Sequence, residues 1–380
     1  MVFTPPRPDN NPLLEEVPLK TGILCRNRVA LAAMTHYSSP EDGSVSDAEL
    51  DYIERRSAGP GLVFTACVAV SPNGKAYAGE PAAHDDSLLP GLTAWAERIK
   101  GAGAKAILQL HHGGGVCPPT LVPDGDVVSP SGIATPDRSI VVPRVLTDAE
   151  IGNIIESFRS ATERAIKAGF DGIEIHGGYG YLPQQFLSPY TNRRTDRWGG
   201  SREKRHAFPL ALLNTAQEAA KKNAKRPFAV GYRFTPEEIL EPGLTMDDAL
   251  AFVEALIAQG TDYIDVLVND YRSPPRRGDM PKDQSRLCFL AEAVAGRVPL
   301  FAGGEIHTEA DALDALQTGI DFVTLGREMI IDPEWVQKIT AGVPETIRTK
   351  LEAGQRQALT IPKPFWEVIW KTPGWFPGVS

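Results

Sequence analysis

The sequence predicts a single closed parallel barrel, an α/β fold of the (β/α)8 TIM type. A short apolar or β-branched run, a loop and a helical pattern of roughly ten to twenty residues recur in strict alternation eight times. The length of 380 residues suits one such barrel with enlarged loops. A doubly wound sheet is the competing architecture. It would more often have six strands and a glycine-rich turn after the first, and "ALAAMTHYSS" is not such a turn.

In chain order the strands are expected at Val29–Met34, Gly61–Val70, Lys105–Leu110, Gly172–Ile175, Phe228–Arg233, Tyr263–Val268, Pro299–Ala302 and Phe322–Leu325. The helices behind them are expected at Asp47–Ser57, Leu88–Gly101, Thr147–Ala168, Arg202–Ala224, Thr245–Gln259, Arg286–Gly296, Thr308–Thr318 and Asp332–Ala341. Several open on a Ser, Thr or Asp able to cap the first turn. The division expected is a barrel over residues 1–345 with a lid-like insertion at about 117–143, then a C-terminal tail over 346–380.

Lys plus Arg number 39 against 48 Asp plus Glu, a net charge of −9 that argues against nucleic acid or an anionic membrane as main partner. The opening "MVFTPPRPDNNPLLEE" lacks the apolar core of a signal peptide, and no apolar run approaches the roughly 18 residues of a membrane helix. A cytoplasmic protein is expected. Cys25, Cys67, Cys117 and Cys288 lie far apart with no C-x-x-C, so they read as reduced thiols rather than a zinc site, cluster or disulfide framework.

In a barrel the active site lies where strands end, so the exits form one constellation. Strand one exits at Ala33-Met34-Thr35-His36-Tyr37, strand two passes Cys67, and strand three ends at Gln109-Leu110-His111-His112. Strand four supplies His176, Tyr179 and Tyr181, and strand five ends at Arg233. Gly303-Gly304 and Gly326-Arg327 follow strands seven and eight, where barrels hold phosphate on loop amides. The adjacent His111 and His112 do not read as a metal site, because neighbours on a strand face opposite ways and no carboxylate stands at ligand spacing.

The stretch "IEIHGGYGYLPQQFLSPYTNRRTDRWGGS" resembles the strand-four segment of the old yellow enzyme family of FMN-dependent ene-reductases. "NRVALAAMTHYSS", "GLVFTACVAVSP", "AILQLHHGG", "VSPSGIA", "LTDAEI" and "GREMIIDPEW" extend the resemblance over roughly residues 10 to 340, and it is greatest to the bacterial-type branch. It implies FMN with its phosphate on Gly303, Gly304, Gly326 and Arg327, and NADPH or NADH as reductant. Gln109 would bond the pyrimidine edge, and Arg233 would face N1 and O2, where a cation favours the reduced ring. The backbone of Ala32, Ala33, Met34 and Thr35 and that of Cys67 would line the other edge, with the Thr35 hydroxyl near O4. The competing reading of Arg233 is a salt bridge to a carboxylate such as Glu174.

The implied substrate is a small electron-poor alkene. Hydride arriving at its β-carbon builds charge on the conjugated oxygen, which calls for two donors and an acid near the α-carbon. His176 matches the family's first donor, Tyr179 stands where the second does, and Tyr181 matches the proton-delivering tyrosine; Tyr37 is a further substrate-facing candidate. Two positions depart from the pattern: Tyr179 replaces the usual His or Asn, and Gly115 stands where many relatives have arginine.

The Pro-rich stretch from Cys117 to Pro143 reads as a lid over the mouth. The run "NRRTDRWGGSREKRH" reads as a structural loop with paired Arg and Asp rather than a nucleic-acid face. The tail bearing Trp366, Trp370 and Trp375 must be covered by its own barrel or by a second subunit, and a homodimer is expected. Besides the ene-reductase, the alternatives are a dienoyl-CoA reductase, whose cysteine-ligated cluster and further nucleotide domain the cysteine spacing and length do not suit, a flavin-binding redox or sensor module that turns over no alkene, and a colourless phosphate-handling isomerase barrel.

Overall fold

A computed structural model describes residues 11–136 and 138–379. Eight strands close into a barrel: β1 (Val29–Leu31), β2 (Leu62–Ala69), β3 (Lys105–His111), β4 (Gly172–Gly177), β5 (Ala229–Phe234), β6 (Ile264–Val266), β7 (Leu300–Ala302) and β8 (Phe322–Leu325). Each pairs in parallel with the next, and β8 closes on β1 through Val323 opposite Val29.

All eight strands are almost wholly buried, as parallel strands under helices must be, which is why they read as continuous apolar runs. Aromatic rings plug the barrel floor. Phe301 and Phe322 stack at 4.1 Å, and Phe64 and Tyr263 meet Phe301 at 5.8 and 5.2 Å. Gly231 on β5 makes room for this plug, since a Cβ there would lie 2.0 Å from the Tyr263 ring. A short ribbon, Val17–Pro18 against Leu24–Cys25, brings Leu19, Ile23 and Cys25 onto the same cluster.

The helices are anchored at their starts. Ser46 with Glu49, Thr147 with Glu150, Thr245 with Asp248 and Thr308 with Asp311 all form reciprocal capping boxes. Each N-cap contributes about 1 kcal/mol, and together they mark where four helices turn back onto the sheet.

Two strands stop two or more residues short of the sequence reading: β1 at Leu31 rather than Met34, and β6 at Val266 rather than Val268. The residues beyond them, Ala32–Thr35 and Leu267–Asn269, leave the ladder to line a cavity. Their apolar character, which reads as strand, serves a ligand wall instead. Three short helices, Leu182–Leu187, Arg327–Ile331 and Lys363–Trp370, were not foreseen because none is long enough to show a helical period.

The tail is covered by its own barrel. Phe365, Ile369, Phe376 and Val379 are buried, Phe365 lies 6.1 Å from the Tyr52 ring on the first helix, and the Leu351 amide donates to Pro377 O at 2.8 Å. The basic run pairs its charges with carboxylates, Arg194 with Asp196 at 2.6 Å, Arg197 with Asp148 at 2.9 Å, and Arg202 and Arg205 with Asp248. Among the described residues no helix is long and apolar enough to cross a membrane.

Candidate active site

A cavity of about 670 Å3 lies at the C-terminal ends of the strands. It is of the size that holds cofactors and substrates in other proteins. Ala32, Ala33, Met34, Thr35, Cys67, Gln109, His176, Tyr179, Tyr181, Arg233, Gly303, Gly304, Gly326 and Arg327 all line it. Tyr37 does not. It has φ +56° and packs its ring against Tyr77 and Phe365, at 5.4 and 6.2 Å.

The β4 exit is shaped by glycine. A Cβ on Gly177 would lie 2.4 Å from the Tyr232 hydroxyl, so a side chain here would crowd the Tyr232 ring. His176 is 4 % exposed, and burial, then the Arg233 charge, pushes its imidazole well below the usual range; it is neutral at pH 7. Its Nδ1 accepts from the Gly178 amide at 3.4 Å, which assigns the proton to Nε2 as a donor. Tyr179, at φ +53°, is held by its amide donating to Thr235 Oγ1 at 3.1 Å, and its side chain is half exposed. Tyr181 stands edge-on to His176 at 5.1 Å and to His111 at 4.1 Å between ring centres. Burial drives its phenol pKa well above the ordinary 10, so its hydroxyl keeps its proton across the physiological range.

At the barrel centre Arg233 pairs with Asp265 of β6, Nε to Oδ2 at 3.2 Å. Glu174 is therefore not its salt-bridge partner; it accepts instead from Gln109 Nε2 at 2.5 Å. Burial, with Asp265 second, pushes the Glu174 carboxyl well above the usual carboxylate range, and burial raises Asp265 too, against the pull of the Arg233 guanidinium. The bond to Glu174 takes the amide end of Gln109 and leaves its Oε1 to accept.

His111 does have a carboxylate neighbour, one that spacing along the chain concealed. Glu80 Oε1 lies 2.8 Å from His111 Nδ1, and Cys67 Sγ completes a buried group of ligand-type atoms within 4.8 Å of one another. Glu80 Oε2 already accepts the amides of Ala76 and Tyr77, at 2.6 and 3.2 Å, so hydrogen bonds account for the position of this carboxylate.

The β7 and β8 exits form a second wall. A Cβ on Gly303 would lie 2.0 Å from Thr324 O, and Gly304, at φ +120°, would bring one to 2.6 Å from Val268 O. The backbone here is bare because two strands crowd it. Arg327 Nη1 donates to Trp375 O of the tail at 3.1 Å, and its Nη2 donates to Glu305.

Several lining residues escaped the sequence reading. Arg138 arrives from the 117–143 insertion, donates to Tyr179 O and lies 5.5 Å from the centre of the Tyr181 ring. Glu305, His307, Glu328 and Trp375 also reach the cavity. Glu305, directly after Gly303-Gly304, was the one a neighbour in sequence could have flagged.

Residues 15–346 match the family model for the NADH:flavin oxidoreductase / NADH oxidase family. The chain belongs to this family, the old yellow enzymes. It is 48 % identical over 370 residues to a probable NADH-dependent flavin oxidoreductase, YqiG, of Bacillus subtilis, covering 97 % of this chain and 99 % of that one. It is 37 % identical to an NADH:fumarate oxidoreductase of Klebsiella pneumoniae, but spans only 39 % of that protein's length. Among solved structures, morphinone reductase in complex with tetrahydroNAD superposes with a TM-score of 0.74 at 28 % identity, over 88 % of this chain and 92 % of that one. The family's enzymes are NAD(P)H-dependent flavin oxidoreductases with FMN as cofactor, and the residues here fit that group. The cavity has a glycine-walled end beside Arg327 and a central cation, Arg233, flanked by the uncommitted Gln109 Oε1.

Proposed function

We propose that this family member is an ene-reductase, with the cofactor phosphate on Gly303, Gly304, Gly326 and Arg327 and its ring along Ala32–Thr35, Cys67, Gln109 and Arg233. FMN held there would supply the redox chemistry that carries a hydride from NADH or NADPH to the β-carbon of an alkene conjugated to a carbonyl or nitro group.

The chain's residues do the rest. Arg233, kept charged by Asp265, faces the pyrimidine edge, where its cation favours the electron-rich ring. His176 offers its Nε2–H to the substrate oxygen as charge grows on it, and Tyr179 is the second donor. Tyr181 delivers its proton to the α-carbon. The observation that carries the reading is the convergence, on one cavity wall, of a neutral histidine whose proton is assigned to Nε2 and a tyrosine held in its protonated form.

A second reading, a flavin redox module that oxidises nucleotide without reducing alkenes, draws support from the Klebsiella relative, most of whose length lies outside the similar region. Anaerobic reduction by NADPH followed by cyclohexenone separates them: an ene-reductase bleaches and regains its yellow colour, and a module stays bleached. The half-buried Trp366 and Trp370 support association of two copies through the tail, and the four unpaired cysteines support a cytoplasmic location.

A further inference from the structure

The phosphate end of the cavity contains a carboxylate that a phosphate-binding site does not call for. Glu305 follows Gly304 with φ +50°, a left-handed conformation uncommon outside glycine, and lines the cavity. One of its oxygens accepts from Arg327 Nη2, and the other lies 3.1 Å from His307 Nε2. His307 Nδ1 in turn lies 3.0 Å from Glu328 Oε2. The chain Arg327–Glu305–His307–Glu328 is thus linked by consecutive side-chain contacts, and it satisfies the guanidinium with an internal anion.

We infer that Glu305 is a built-in competitor for the cofactor phosphate: it holds Arg327 when the phosphate is absent and is displaced when the phosphate binds. The inference rests on the proposed phosphate position. Both a phosphate and a carboxylate favour charge-assisted bonds to the same guanidinium fork. Arg327 directs Nη1 to Trp375 O and Nη2 to Glu305, so a phosphate reaching Nη2 competes with that carboxylate. A dianion beside Glu305 would also meet like charge. Displacement leaves Glu305 its bond to His307, so the carboxylate has somewhere to stay. Cofactor affinity is thereby set below what the glycine loops and Arg327 alone would give.

The test is titration of deflavinated protein with FMN and with riboflavin, which lacks the phosphate, followed by quenching of flavin fluorescence. Glu305→Gln should bind FMN roughly tenfold more tightly than the parent, the size expected for losing one partly buried ion pair and one like-charge contact. Its riboflavin affinity should not change. Glu305→Ala should shift FMN in the same direction, and thermal unfolding of each apoprotein reports whether the fold is retained. Unchanged or weaker FMN binding in both variants overturns the inference. Arg327→Ala distinguishes the two levels: if it weakens FMN and not riboflavin, the phosphate position stands whatever Glu305 does. If it affects neither ligand, the phosphate lies elsewhere and both readings fall.

Discussion

Replacing Tyr181 by phenylalanine removes one oxygen and leaves the ring, so its edge contacts with His111 at 4.1 Å and His176 at 5.1 Å persist. The expected loss is therefore chemical rather than structural. A general acid contributes about 10²- to 10⁴-fold, or about 2.7 to 5.4 kcal/mol at 1.36 kcal/mol per factor of ten. Reoxidation of the reduced protein by cyclohexenone should slow by that factor, while reduction by NADPH, which takes no proton from this side chain, should be unchanged. The pH profile adds a constraint. Burial holds the Tyr181 phenol above its usual value and His176 below its own, so neither contributes a limb to the parent's reoxidation rate between pH 7 and pH 9. Nitroalkenes provide the control, because the nitronate formed is a stable anion that solvent protonates later. Stopped-flow absorbance at the flavin maximum measures all three. Equal slowing for enone and nitroalkene, or no slowing, refutes the acid role, and a limb near pH 6.5 that disappears in His176→Ala refutes the neutral His176.

Three further outcomes follow from the geometry. His176→Ala removes a donor to the developing oxyanion and should lower enone turnover by about 10²- to 10³-fold with a smaller effect on reduction by nucleotide, read from the two half-reactions separately. Asp265→Asn unmasks the Arg233 cation. The apoprotein should lose about 3 to 5 kcal/mol in urea unfolding, and the potential of bound flavin should rise by about 30 mV or more, the equivalent of 1.4 kcal/mol for two electrons. Burial raises the Glu328 carboxyl to about 7 against the pull of His307, so the native state keeps this proton longer than the unfolded chain. Stability should then fall as pH climbs from 4.5 through 7, on the order of 3 kcal/mol, and Glu328→Gln should flatten that slope in urea midpoints taken from pH 5 to 7.5.

The barrel was legible because its strands are buried on both faces and its helices announce their starts. Thr147, Thr245 and Thr308 sit at their caps as the sequence implies. The exits were legible through their chemistry: His176, Arg233 and the paired glycines are costly or idle anywhere but at a site. What stayed hidden depends on chain folding over long separations. Arg138 comes from an insertion, Trp375 lies 48 residues beyond the arginine it meets, and Glu80 reaches His111 across 31. The β6 exit gave no signal because Leu267 and Val268 contribute only apolar wall. The carboxylate beside Arg233 was hidden for a related reason: the competing reading named Glu174, on the neighbouring strand, whereas the register sets Asp265 directly opposite Arg233 on the other side.

The central claim is that one cavity both accepts hydride from a nicotinamide nucleotide and returns it to an alkene. The most direct measurement is anaerobic stopped-flow of the purified holoprotein, reduced by NADH or NADPH and then mixed with cyclohexenone. The account predicts loss of the yellow flavin absorbance with the nucleotide, and full recovery with the enone alongside stoichiometric cyclohexanone. Reduction without recovery, or recovery only when oxygen is admitted, would contradict it and leave the redox module as the reading.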